Sequence, residues 1–271
     1  MRRDRTISRV AQWLAPLMLA AFASTVNAQS SASVFQATLM ESEQRTKEVS
    51  TDELRRILAE KSATVFDARP FKEFAISHIP GAINVAPKPG VPISVYVSDV
   101  NEIARVMKGT KTAPIVLYCN GPFCGKSKRL AAELLEAGFT DVRRYQLGMP
   151  IWRALVGVTE IEPFGIRYVL DNDRTAVIID SREVVDFKAG SIPNAKNIPR
   201  SLVKDGKDVG EVKAAKDDGR LPMEDHNTRI IVFGNTSEQA HAVADAIARE
   251  AFHNVSFFAG SIEKLRSALP R

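Results

Sequence analysis

The feature that most constrains this chain is that it repeats itself. Asp67 and Asp180, Ile79 and Ile192, and Phe139 and Phe252 are each 113 positions apart. A repeat at that distance calls for two similar domains. The first copy opens on a helix over Ser50 to Leu58, where Ser50 and Glu53 match a capping box. It continues through the strand Thr64-Val65-Phe66-Asp67, the run Ala68-Arg69-Pro70, Glu73-Phe74, and the turn Ser77-His78-Ile79-Pro80-Gly81. The second copy answers with Ala176 to Arg182, Asp186-Phe187 and Gly190 to Pro199. Short apolar strands alternate with amphipathic helices such as Ser127 to Ala137 and Glu238 to Glu250. That pattern predicts an α/β fold, each copy a mainly parallel sheet with helices on both faces. The boundaries expected are 1–28 for an export signal, 29–45 for a linker rich in Ser, Gln and Glu, 46–158 for the first domain and 159–271 for the second.

The register breaks where the strand Ile230 to Phe233 matches Ile115 to Tyr118 at an offset of 115. In the first copy this strand runs into Cys119-Asn120-Gly121-Pro122-Phe123-Cys124-Gly125-Lys126-Ser127, which holds both cysteines of the chain. A sulfur at the carboxyl end of a buried strand, before a glycine-containing loop and a helix, sits where loop amides and the helix dipole favour an anion. This placement activates a thiol, so Cys119 is the expected nucleophile. The amides of Asn120 to Lys126 are the expected donors to its sulfur, or to the oxygens of a bound oxyanion. In the second copy Gly234 stands at the Cys119 position, and that loop has lost its nucleophile.

Composition narrows the partners. Of the net charge of +5, Arg2, Arg3, Arg5 and Arg9 against Asp4 supply three, leaving +2 for the rest. So balanced a chain, without a basic run, offers no footprint for nucleic acid. The arginine-rich start, the apolar stretch from Val10 to Ala23 and the small-residue site Val26-Asn27-Ala28 read as a secretory signal cut after Ala28. The stretch is shorter than the roughly 20 residues of a spanning helix. The expected location is therefore periplasmic or secreted, with no stable membrane insertion after cleavage. Export would also put Cys119 and Cys124 in an oxidising space where they can pair.

Together, Asp67-Ala68-Arg69-Pro70 with Glu73-Phe74, His78-Ile79-Pro80-Gly81-Ala82-Ile83-Asn84, Tyr118-Cys119 before a loop and helix, and then Gly138-Phe139, Val142, Gly148 and Trp152 resemble a tandem rhodanese of the sulfurtransferase superfamily. The resemblance implies a rhodanese fold per copy and a catalytic cysteine carried by Cys119 alone. It implies a persulfide enzyme moving sulfane sulfur from thiosulfate or a similar small anion to a thiol or other thiophilic acceptor. Two features depart from the family. The active loop commonly runs six residues from its cysteine and often closes on a basic residue, whereas here Ser127 lies two places further and Lys126 is the nearest cation. In familiar two-domain members the second domain carries the thiol; here the first does.

Around Cys119, the residues Asn120, Gly121, Pro122, Phe123, Gly125, Lys126 and Ser127 form the expected substrate loop. Cys124 reads either as a resolving thiol that closes a disulfide with Cys119 or as a residue chosen for fit. A six-residue loop can also be drawn from Cys124, at the cost of placing Ser127 to Arg129 outside a helix. Lys126 is the cation expected to face the site, with Lys128 and Arg129 in solvent. Asp67 and Arg69 read as a structural pair, Arg69 also able to rim the crevice, while His78 and Trp152 read as packing residues. Two cysteines in one loop and four scattered histidines give no spacing for a closed tetrahedral metal site, and no nucleotide fingerprint appears, so no metal or cofactor is expected. Rival readings are a dithiol–disulfide redox protein and a binding module that docks a protein partner through the second copy. A cysteine-loop phosphatase is disfavoured by Gly125 where its arginine would stand.

Overall fold

A computed structural model describes residues 44–92, 95–122 and 124–269. The signal and nearly all of the linker read above fall outside the described residues, as does Phe123. Among the described residues no helix is long and apolar enough to cross a membrane.

Each copy forms a five-stranded, all-parallel sheet. The first contains β1 (Lys47–Glu48), β2 (Thr64–Asp67), β3 (Ile83–Asn84), β4 (Ile115–Tyr118) and β5 (Val142–Tyr145), in the order β1-β5-β4-β2-β3. The second contains β6 (Val158–Glu160), β7 (Val177–Asp180), β8 (Lys196–Asn197), β9 (Ile230–Gly234) and β10 (Val255–Ser261), in the equivalent order β6-β10-β9-β7-β8. The helices of the first copy are α1 (Thr51–Glu60), α2 (Phe71–Ile76), α3 (Asp99–Val106), α4 (Gly125–Glu136) and α5 (Gly148–Leu155). Those of the second are α6 (Pro163–Asn172), α7 (Val184–Ala189), α8 (Gly210–Asp217), α9 (Ser237–Ala248) and α10 (Ile262–Ala268). Ser50 caps α1 by accepting the Glu53 N–H at 3.1 Å, the serine half of the expected capping box.

The central strand β4 explains why the apolar run is continuous. All four of its residues are buried, because helices cover both faces of the sheet. Period-two alternation divides them: Val116 and Tyr118 pack with Leu54, Ile57, Tyr145 and Trp152 under α1 and α5, while Ile115 and Leu117 pack with Ile103, Leu130 and Leu134 under α3 and α4. In β9 the same split sends Ile231 and Phe233 towards α6 and α10 and Ile230 and Val232 towards α8 and α9. Because β2 and β4 are parallel, with Asp67 opposite Tyr118, the segments after both strands emerge at one sheet edge.

The copies meet through backbone as well as side chains. His78 and Glu160 form an isolated antiparallel bridge, and the Glu162 N–H donates to Ala75 O at 2.8 Å. Helix α6 lies on α2, where Phe164 packs on Phe71 at 5.6 Å and Lys72 sits over the Tyr168 ring. The contact is so close that a Cβ on Gly165 would collide with Ala75 O and lie 2.8 Å from Ile76 Cα. Below it, Ser77, Thr159 and Ser256 hydroxyls form a buried chain with links of 3.0 and 2.7 Å.

Candidate active site

Strand β4 ends at Tyr118, and the next residue, Cys119, is buried. Its carbonyl accepts the Met149 N–H at 3.1 Å, which ties the loop to the start of α5. Gly148 makes this approach possible. It has φ +61, and a Cβ there would collide with Cys119 O and come within 2.5 Å of Gly121 N. Cys119 and Cys124 are joined as a disulfide with Cα atoms 6.2 Å apart. Cys124 is half-buried, where Cys119 is buried.

Helix α4 begins at Gly125, two residues earlier than the expected start at Ser127. Nothing after Cys124 breaks the helix, and an apolar face built from Leu130, Ala131 and Leu134 holds it on the sheet. Gly125, Lys126 and Ser127, expected in the loop, are therefore the first turn of α4. Ser127 to Arg129 are helical, which removes the six-residue loop drawn from Cys124. Cys124 is the N-cap, with extended backbone (φ −86, ψ 105) and no side-chain bond to the first turn. The turn also holds no acidic residue, so its amides have neither a capping oxygen nor a neighbouring carboxylate on the helix. One expected donor is engaged elsewhere, since the Cys124 N–H donates to Gly121 O at 3.0 Å.

The second copy closes the same place. Thr236 caps α9 by accepting the Gln239 N–H at 3.2 Å, Gln239 Oε1 accepts the Asn235 N–H at 2.8 Å, and Gln239 Nε2 donates to Ser181 O at 3.1 Å. At Gly234 a Cβ would come within 2.5 Å of Ser181 Oγ and 2.8 Å of Gln239 Oε1. The second copy has thus lost the thiol and filled the space beside it.

Arg69 and Asp67 form the structural pair expected of them. The buried guanidinium donates from Nε and Nη2 to Asp67 at 2.6 to 3.0 Å, and from Nη2 to Ser77 O at 2.6 Å. Arg182 and Asp180 repeat this in the copy without a thiol, with Gly190 O as the carbonyl. Burial opposes the charge on Arg69, but Asp67 outweighs it and the guanidinium is held above its ordinary value. Burial, reinforced by the Asp67 charge, likewise keeps the Tyr118 phenol protonated. Arg69 reaches the loop, donating from Nη1 to Asn120 Oδ1 at 3.4 Å, and Asn120 Nδ2 donates to Glu73 at 2.5 Å. Sequence spacing carries no signal for this Glu73–Asn120–Arg69 link, which joins positions 47 and 51 residues apart.

Beside the loop a cleft of about 250 Å³ is lined by Arg69, Lys126 and Arg129 together with Asp99 and Glu133. Lys126 and Arg129 are exposed, so Arg129, expected in solvent, also borders the cleft; it pairs with Glu133 at 3.4 Å. Trp152 is buried, donates to Val158 O at 3.0 Å and walls a larger cleft of about 860 Å³ that also includes Arg55, Arg56 and His241. His78 packs and hydrogen-bonds at the domain junction, stacked on Phe74 at 3.8 Å.

A family model described as Rhodanese-like domain matches residues 50–155 and again 168–268. The chain belongs to the rhodanese-like domain family. It is 35% identical over 115 residues to the HTH-type transcriptional regulator Rv0324 of Mycobacterium tuberculosis, a match spanning 42% of this chain and 45% of that protein. Among solved structures it is similar to a thiosulfate sulfurtransferase from Pseudomonas aeruginosa (19% identity, TM-score 0.34, covering 82% of this chain and 42% of that one). It is also similar to an anaerobic ergothioneine biosynthesis enzyme from Chlorobium limicola (16% identity, TM-score 0.37, 82% and 61%). In each case the rhodanese-like chain spans less than two thirds of the protein it matches.

Proposed function

We propose that this rhodanese-like chain is a sulfurtransferase whose first copy carries sulfane sulfur on Cys119. The observation that supports it most is the meeting of a strand-end thiol with the uncapped, acid-free first turn of α4. The Cys119 thiolate attacks the outer sulfur of thiosulfate; the new S–S bond makes a cysteine persulfide and sulfite leaves with the electron pair of the broken bond. Amides of α4 balance the negative charge on the persulfide, and the exposed Lys126 at the cleft attracts the anionic donor. A thiol acceptor then takes the terminal sulfur and returns Cys119 to the thiolate. Initial rates over both substrates should give parallel double-reciprocal lines, and Cys119→Ser should be inactive; intersecting lines, or an active variant, would refute the scheme.

The disulfide favours a second reading, in which Cys124 discharges the carrier. Its thiol attacks the Cys119 sulfur of the persulfide, the loop disulfide forms, and the outer sulfur leaves as hydrogen sulfide. An external dithiol reduces the loop again by attacking the sulfur of Cys124, the less buried residue of the pair. Cys124→Ser separates the readings: transfer to an external acceptor persists if Cys124 is a shortcut, and sulfide release stops if it is the resolving thiol. Export of the chain and docking of a protein partner by the second copy belong to the same proposal. Fractionation of the source cells, with the mature N-terminus read at Gln29, tests the export.

A further inference from the structure

The domain junction gathers three metal-binding side chains from two copies. His78 and Glu160 exchange both backbone hydrogen bonds, at 2.9 and 2.8 Å, so their side chains leave one face of the pair. Glu162 lies two residues on along extended backbone, and the period of two returns it to that face. One ligand atom from each of His78, Glu160 and Glu162 lies within 4.8 Å of the other two.

The imidazole is set up to bind. His78 is 1% exposed, and Nδ1 donates to Phe74 O at 2.9 Å because a carbonyl only accepts. That contact occupies Nδ1 and leaves Nε2 as the ring nitrogen turned to the carboxylates. That atom faces Glu160 Oε2 at 3.7 Å, longer than a hydrogen bond and within ion-pair range when the ring carries a proton. The separation is close to the roughly 3.4 Å between two atoms bound at about 2.1 Å in a tetrahedral shell. Glu160 Oε2 is oriented by the Gly81 N–H at 3.1 Å. The Glu162 carboxylate sits at the N-cap of α6 without capping it, and no hydrogen bond or ion pair engages it among the described residues. The three side chains thus bring one imidazole and two half-buried carboxylates to one point of the junction.

We propose that His78, Glu160 and Glu162 bind one divalent transition-metal ion, with Zn²⁺ the best match to one imidazole and two carboxylates, and that the ion fastens the first copy to the second. The Phe74 carbonyl fixes the ligand tautomer from outside the shell, as such partners do in metal sites. Cysteine and histidine spacing does not reveal the set because two of its members are carboxylates contributed by the other copy.

The test uses the untagged full chain with Cys119→Ser and Cys124→Ser, which removes thiols as competing ligands. Stripped with a chelator and dialysed against Zn²⁺, it should retain one equivalent by mass spectrometry of the metal. Zn²⁺ should raise its Tm, and Co²⁺ should give the visible bands of an ordered low-coordinate site. Glu162→Gln deletes a ligand with no other partner, so circular dichroism should not change while Zn²⁺ affinity falls at least about tenfold. A parent chain that retains less than half an equivalent, or a Glu162→Gln chain that binds Zn²⁺ as tightly as its parent, would overturn the proposal.

Discussion

At the scale of the residue, the site depends on a few atoms that admit no substitute. Gly148 combines φ +61 with backbone of the cysteine loop where its Cβ would be. Gly148→Ala should cost about 2 kcal/mol or more, a fall in Tm of roughly 4–8 °C, and should reduce sulfur loading by displacing Cys119. The Arg–Asp pairs are a natural control on each other. Asp180→Asn leaves a buried guanidinium half-paired, and should destabilise by about 3–5 kcal/mol without touching sulfur transfer. Asp67→Asn should cost as much and also lower activity, because Arg69, its partner, holds Asn120 of the loop. Thermal unfolding and initial rates on the two variants check both statements. The place of Cys119 after β4 and the Asp67–Arg69 pair at the end of β2 are legible in sequence because each sits at a strand end, whereas a loop running to Ser127 is not, since Gly125 to Ser127 belong to α4. The Asn120–Glu73 contact is not, since only the fold brings those two side chains together.

At the scale of the element, strands and helices follow from apolar runs that the two copies share, and the repeat places them twice. The difference lies in how each copy begins the helix after its central strand. In α4 the cap is a cysteine that bonds no amide; in α9 it is Thr236, assisted by Gln239. The start of α4 at Gly125 escapes a sequence reading because a glycine after a loop looks like more loop, while tertiary packing of the Leu130 face decides the matter. Restoring a thiol alone should therefore not restore chemistry. Gly234→Cys should lower Tm, because its Cβ meets Ser181 and Gln239, and should take up no sulfur from thiosulfate in a Cys119→Ser background. Sulfur found on the introduced thiol of that variant would contradict the view that the second site is filled.

At the scale of the whole molecule, the copies share a junction that neither sequence half announces. The Ser77–Thr159–Ser256 chain and the His78–Glu160 bridge each need residues more than 80 positions apart, and no periodicity encodes them. The junction also contains a cost. Burial, then Arg229 of the second copy, then Arg69, lowers the Arg153 guanidinium to about 10, and its Nε has no hydrogen-bond partner. A base lowered by folding opposes folding below that value, and the penalty is relieved as pH rises through about 10 towards the unfolded value. Arg153→Met should accordingly raise Tm at pH 7, by roughly 2–4 °C for each 1 kcal/mol recovered, and its advantage over the wild type should narrow above pH 10. A variant that melts earlier at pH 7 would show that Arg153 is paired in solution.

The most direct test of the account is the mass of the reduced, thiosulfate-treated chain. The wild type and Cys124→Ser should each gain one sulfur atom, mapped to the peptide containing Cys119 and removed by a thiol acceptor, and Cys119→Ser should gain none. An unmodified wild type, or a sulfur atom that persists in Cys119→Ser, would contradict it.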